Sequence, residues 1–199
     1  MTGASFSFDK KRKLEIVDLL TKLGDPQKDA IGGTWKLSPQ GLVFSNGESH
    51  ARLPIKVTPP EEYDLTMVIE RKAGDVDLLV GLVGGGRQFV LKFDAAHSQR
   101  SGIDGIDGTG AGKNTIEGAT LLGKFFDLQK TRTLTFMVRK EAFFLQEAGK
   151  DLLSWKADWT RIKMDPTHQV QEKNVLFLGV WGSTFQISKL TLSAPKDKP

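Results

Sequence analysis

The stretch "DGTGAGKN", residues 107–114, sets Gly112-Lys113 in the spacing of a phosphate-binding loop. Such a loop reads G-x-x-x-x-G-K-[ST]: its backbone N–H groups cradle phosphate, its Lys reaches the charge, and its hydroxyl holds magnesium. Here Asp107 stands at the first glycine position, where its charge repels phosphate, and Asn114 replaces the hydroxyl. The flanks fail as well. Upstream, "HSQRSGIDGI" is no continuous apolar strand, and downstream Gly118 and Gly123 fall where a helix should run. The stretch therefore reads as turns, built from glycine and aspartate.

Carboxylates come next. Glycoside cleavage by two carboxyls is served by a strand motif E-x-D-x-x-E, and the nearest match is Glu62-Tyr63-Asp64-Leu65-Thr66-Met67. Met67 occupies the acid/base position and cannot move a proton, so Glu62 reads as a residue that caps or solvates the start of a strand. Glu70, Asp75 and Asp77 cluster beside Arg71. Asp77 and Arg87 are expected to face each other across adjacent strands, a carboxylate–guanidinium pair suited to sugar hydroxyls. Asp94, Asp104, Asp107 and Asn114 supply oxygens over one glycine-rich stretch, which makes calcium a candidate ion there. The same Asp-Gly pairs equally make two turns. His97 reads as a loop histidine with local hydrogen bonds.

A sugar platform needs an exposed ring. Trp35 and Trp155 fall within strands and read as core, and Trp159 reads as a packed loop anchor. Trp181, between Gly179 and Gly182, has small neighbours that leave room for a ligand, although an edge-of-core position fits it too.

These residues must be positioned by short strands. "TWKL", "GLVFS", "ARLPI", "YDLTMVIER", "DLLVGLV", "RQFVLKF", "TLTFMVR", "AFFLQEA", "KDLLSWKA", "NVLFLGVW" and "FQISKLTL" are apolar-rich runs divided by Gly, Pro, Asn or Asp. Tyr63, Leu65, Met67 and Ile69 alternate onto one face. Phe185, Ile187, Leu190 and Leu192 share a face only if a bulge shifts the phase after Ser188. "EAGKDLLSW" reads as a hairpin turning near Ala148-Gly149-Lys150. Residues 10–23 space Leu14, Val17, Leu20 and Leu23 as a short amphipathic helix would; the alternative is an irregular lead-in whose Val17 and Leu19 plug a sheet edge. About eleven short strands with little helix predict an antiparallel sandwich or barrel.

Composition bounds the rest. The 199 residues fit one large domain, and the absence of cysteine excludes disulfides, a thiol nucleophile and cysteine-ligated zinc. The net charge of +4 is spread along the chain apart from "KKRK" at 10–13, and no stripe interleaves basic with aromatic residues, so nucleic acid is not an expected partner. No stretch is long and apolar enough to span a membrane.

Three segments, "AIGGTWKLSPQGLVF", "ARLPIKVTPPEEYDLTMVIER" and "LGVWGSTFQISKLTL", resemble the concanavalin A-like jelly-roll domains abundant in planctomycete bacteria. Those domains are relatives of laminin-G-like modules and of 3-keto-disaccharide hydrolase-like domains. The resemblance covers roughly residues 17–192, leaving 1–16 as a lead-in and 193–199 as a polar tail or linker; residues 109–130 look like an insertion. It implies an all-β, two-sheet antiparallel jelly-roll sandwich with at most a short N-terminal helix. The expectation for function is a non-catalytic carbohydrate-binding module in which Trp181 stacks and Asp77, Arg87 and Asn114 hydrogen-bond. A glycoside-acting hydrolase of that related group, or a protein-interaction or structural domain of a larger protein, is the alternative.

Overall fold

The computed structural model describes residues 4–5, 16–45, 51–97 and 99–195. The basic run at 10–13, the first part of the expected 10–23 helix, His50 and residues 196–199 of the tail lie outside them. In chain order the strands are β1 (Ala4–Ser5), β2 (Val17–Asp18), β3 (Thr34–Ser38), β4 (Gly41–Ser45), β5 (Ala51–Ile55), β6 (Val57–Thr58), β7 (Tyr63–Gly74) and β8 (Leu78–Gly84). They continue with β9 (Arg87–Phe93), β10 (Arg100–Asp104), β11 (Thr120–Leu122), β12 (Thr131–Arg139), β13 (Ala142–Glu147), β14 (Lys150–Lys156), β15 (Leu176–Val180) and β16 (Ser183–Ser193). One α-helix, α1 (Pro26–Asp29), is a single turn.

Two antiparallel sheets pack face to face. One runs β11-β10-β9-β8-β15-β5; the other runs β14-β13-β12-β7-β16-β4-β3, with β2 also pairing with β16. The expected two-sheet antiparallel sandwich is therefore the observed fold. β16 joins β7 to β4 in the middle of the larger sheet, through a ladder whose register shifts between Ile187 and Lys189. That bulge returns Leu190 and Leu192 to the buried face shared by Phe185 and Ile187, the phase change expected after Ser188. Likewise Tyr63, Leu65, Met67 and Ile69 all point into the core. Ala148 and Gly149 both have positive φ, giving the two-residue turn of a tight hairpin between β13 and β14.

The lead-in resolves in favour of the irregular reading. Val17 pairs against β16, Leu19 is buried, and residues 20–22 form a single 3₁₀ turn, because the helical spacing there is overridden by an open sheet edge to fill. Two strands lie in stretches read as loops: β10 within the aspartate-rich segment and β11 within the apparent insertion, where they pair with each other. A glycine and an aspartate made "RSGID" look like turns, yet Gly102 is where the backbone of Ala119 comes within 2.4 Å of an added Cβ. Glycine here serves close packing of strand and loop.

The smaller sheet is buried on both faces over its centre. Leu78, Val80, Leu82, Phe89, Leu91 and Leu178 face the main core. On the other face Leu79, Val90 and Phe177 form a second cluster with Val170, Val175 and Met164. This explains why β8 and β15 read as unbroken apolar runs. The cover is a strap, residues 157–175, that crosses this outer face.

Candidate functional site

Alternation along the strands decides which polar groups the outer face presents. Leu78, Leu91, Ile103 and Val180 point to the core, so Asp77, Lys92, Asp104 and Trp181 point outward. They run diagonally across four neighbouring strands, from the end of β15 through β8 and β9 to β10. The strap and residues 105–113 rise on either side, and a cleft of ≈ 600 Å³ lies between, lined by Lys92, Asp104, Lys113, Lys163, His168 and Trp181 among others.

Local chemistry fixes both walls. Trp159 anchors the strap: its Nε1 donates to the Lys140 carbonyl at 2.7 Å, and its ring lies on Gly84 and Gly85, where an added Cβ would sit 2.6 and 2.5 Å from it. Asp158 and Asp165 accept from the backbone N–H of Thr160 and Thr167, starting two 3₁₀ turns. Arg52 donates to the Thr167 carbonyl. The opposite wall is tied to the strap at Gly105, whose φ of +80° suits glycine and whose carbonyl accepts from Lys163 N–H at 2.9 Å. Its missing side chain lets the Lys163 carbonyl approach, since an added Cβ would lie 2.3 Å away.

Beneath Lys92, which lines the cleft, Asp77 is fully buried and its Oδ2 lies 2.7 Å from Lys92 Nζ. The Asp77 carbonyl also accepts the Trp181 backbone N–H at 3.1 Å, and Trp181 lines the same cleft as Lys92. Trp181 is 36% exposed and is the one tryptophan with an open ring, since Trp35, Trp155 and Trp159 are core. Asp104 takes the Ala111 N–H at 2.7 Å and lies 3.2 Å from His168 Nδ1. Burial alone would raise the Asp104 carboxyl. The hydrogen bonds from His168 and Ala111, with the charges of His168 and Lys92, outweigh it and hold the group below the usual carboxylate range.

Of the residues singled out in the sequence, Trp181, Asp104 and Gly112-Lys113 line this cleft, Asp77 lies beneath it on Lys92, and Arg87, Asn114, Asp94 and Asp107 lie elsewhere. The expected Asp77–Arg87 pair is not formed. A tight turn through Gly85 and Gly86 sets Arg87 opposite Gly84, at the far end of β9 from Asp77, and Lys92 takes the carboxylate instead. Asn114 is buried and spends its amide on the loop: Nδ2 donates to the Ile103 carbonyl and Oδ1 accepts from Ile116 N–H. The three aspartates considered for calcium are not brought together. Asp94 is buried on Arg71 at 2.9 Å, Asp104 on His168, and Asp107 is exposed on Arg161 at 2.6 Å. Among the described residues no group of three or more His, Asp or Glu side chains converges as metal ligands would. Glu62 accepts the Lys140 N–H, in keeping with a role at the start of β7. In "DGTGAGKN" the N–H groups of Asp107, Gly108, Thr109, Lys113 and Asn114 all bond to backbone carbonyls, which leaves them unavailable to a phosphate.

Lys92 and His168 were missed. Lys92 had a signal, being the polar residue at the outward phase of the otherwise apolar "FVLKF". His168 had none, because only the tertiary path of the strap brings it to Asp104.

No protein-family model matches the chain, and comparison with characterised sequences finds no significant match. Solved structures share its fold. The carbohydrate binding module CBM66 from Bacillus subtilis superposes with a TM-score of 0.58 at 12% identity, covering 83% of this chain and 96% of that one. The apo Crh5 transglycosylase gives 0.58 at 11% identity over 92% of this chain and 85% of its own. A Bacillus subtilis protein of unknown function with a galectin-like fold gives 0.58 at 10% identity over 90% and 96%. At such identities the likeness is one of fold.

Proposed function

We propose that the protein is a non-catalytic, lectin-like carbohydrate-binding module, and that its glycan lies in the cleft on the outer face of the smaller sheet. The observation that carries this reading is the partly exposed Trp181 lining, together with Lys92, Asp104 and His168, a cleft of ≈ 600 Å³. An indole face meets the C–H face of a sugar ring, while carboxylate, ammonium and imidazole groups supply directional partners for hydroxyls. The use of the same fold by a carbohydrate binding module agrees with this, as analogy of fold.

A hydrolytic reading draws on the Asp104–His168 pair and on the transglycosylase that shares the fold. It is the weaker one. A glycosidic acid must be protonated near neutral pH and has its carboxyl raised, whereas Asp104 is held low.

The test is a glycan array probed with calcium and again with a chelator. Binding is expected in both arms, because Asp94, Asp104 and Asp107 each already have a basic side chain as partner. Trp181→Ala should weaken binding by roughly tenfold or more with little change in melting temperature, since a stacked ring is worth about 1–3 kcal/mol. Binding in the calcium arm alone would return the 94–114 segment to the site. Silence in both arms, or binding indifferent to Trp181, would overturn the reading.

A further inference from the structure

A second recess lies on the other side of the strap. It measures ≈ 290 Å³ and is lined by Arg87, Gln88, Lys173, Gln169 and Met164, with Ile162 and Gly86. Met164 lines the first cleft as well, so the two hollows share that residue as a wall. The lining holds two cations and no carboxylate. Arg87 is exposed and makes no ion pair among the described residues. Lys173 Nζ donates to the neutral Gln169 Oε1 at 2.8 Å. The acidic residue beside it in sequence, Glu172, is exposed, and its charge acts on Lys56.

Gln88 adds an independent observation. Its side chain is only 8% exposed, and its Nε2 donates to the carbonyls of Glu172 and Val175 at 3.0 and 2.7 Å. Those two bonds fix which end of the amide is oxygen. Oε1 is then a buried acceptor with no hydrogen-bond partner among the described residues. A buried acceptor left unpaired costs free energy that a bound hydroxyl would recover. The recess thus asks for a ligand with negative charge for Arg87 and Lys173 and a hydroxyl donor next to it for Gln88.

We infer that this recess is a subsite for an acidic sugar unit, one bearing a carboxylate or sulfate beside a free hydroxyl, on the glycan that the first cleft receives. The inference rests on the carbohydrate-binding reading and narrows its ligand to an anionic glycan. Arg offers a planar fork that matches such oxyanions with two parallel bonds, and Lys adds a point charge. A DNA backbone is disfavoured, because its phosphodiesters carry no hydroxyl beside the charge.

The experiment is an array that carries each neutral glycan next to its uronate and its sulfated counterpart, with single-stranded DNA of matched charge, probed with the full chain. Arg87→Gln and Trp181→Ala are compared with Lys130→Gln, which removes an exposed cation outside the recess. The wild type should prefer an acidic member over its neutral parent, and whether uronate or sulfate wins identifies the group. Arg87→Gln should cost roughly tenfold or more on the acidic member and less than about twofold on the neutral one, as loss of a charge-assisted pair requires. Lys130→Gln should change neither. Equal losses in Arg87→Gln and Lys130→Gln, or DNA binding as tight as the glycan's, would overturn the subsite in favour of general surface charge. Binding that depends on Trp181 but ignores both acidity and Arg87 would overturn the subsite and keep the module. Absence of any Trp181-dependent glycan binding would overturn both.

Discussion

Arg71 is the largest fully buried side chain described in the molecule, and its surroundings show how a charge is kept inside a sandwich. Burial holds the guanidinium below its ordinary range, and the charge and hydrogen bond of Asp94, with the charges of Asp75 and Asp77, offset only part of that. It donates to the carbonyls of Phe126 and Val76 at 3.2 and 2.8 Å and lies over the rings of Phe126 and Phe185. Asp94 in turn accepts from the N–H groups of Phe125 and Phe126 at 2.5 and 3.0 Å. Nearly every polar atom of the pair is thereby satisfied. Asp94→Ala would leave the guanidinium uncompensated, and a loss of about 3–5 kcal/mol is expected in urea unfolding. Arg71 continues the inward phase of Tyr63, Leu65, Met67 and Ile69, so its position was legible from alternation; its charge made "ERKAGD" look solvated. Asp104 belongs to the same scale. Its carboxyl is lower in the folded chain than in the unfolded one, so it contributes stability that is fully present above the ordinary carboxylate pKa of about 4 and is lost as pH falls below it. Thermal melts from about pH 5 to 3 should therefore fall more steeply for the wild type than for Asp104→Asn. Equal slopes would detach the Asp104–His168 contact from stability.

At the scale of elements, the strap decides whether a cleft exists at all. Its backbone carries few regular hydrogen bonds, and it is held by a handful of side chains: Trp159 on the β8–β9 turn, Gln88 and Arg52 on its carbonyls, and Phe177 beneath. Phe177 fits because β8 has glycine under it, and a Cβ at Gly81 would lie 2.0 Å from the ring. Trp159→Ala should cost about 3–5 kcal/mol, the range for deleting a buried tryptophan. It should also weaken glycan binding without touching the ligand, because Asp165 and His168 ride on the same strap; melting curves and array titration together check this. Unchanged affinity in a folded variant would show that the strap positions nothing. Little of this was legible. The eleven apolar runs announced themselves through burial, and each coincides with a strand. The strap is polar, short of periodicity, and held by contacts distant in sequence, so nothing local marks it. Asp77 and Arg87 failed as a pair for a related reason: residue spacing fixes which face a side chain takes, whereas turn length fixes which residue it meets.

For the whole molecule, the two sheets divide the work. The larger one turns an outer face of threonines, glutamines and charges away from the core, as its alternating burial shows. The smaller one is covered on both sides, and the cleft is the gap its cover leaves. The many short strands admitted a sandwich or a barrel, and the resemblance to jelly-roll domains narrowed this to two layers. Strand order was beyond them, since nothing in a strand names its neighbour. That order has a consequence during synthesis. β7 and β4 meet only through β16, the last strand described. A growing chain carries β4 for roughly 140 residues before β16 is made, which at about 5–20 residues per second is roughly 7–30 s on the ribosome. Once β7 is also made, each of the two strands has an edge standing open to a stray strand from another nascent chain. A strand made this late leaves an edge of each of its partners unpaired for most of the synthesis of the described chain.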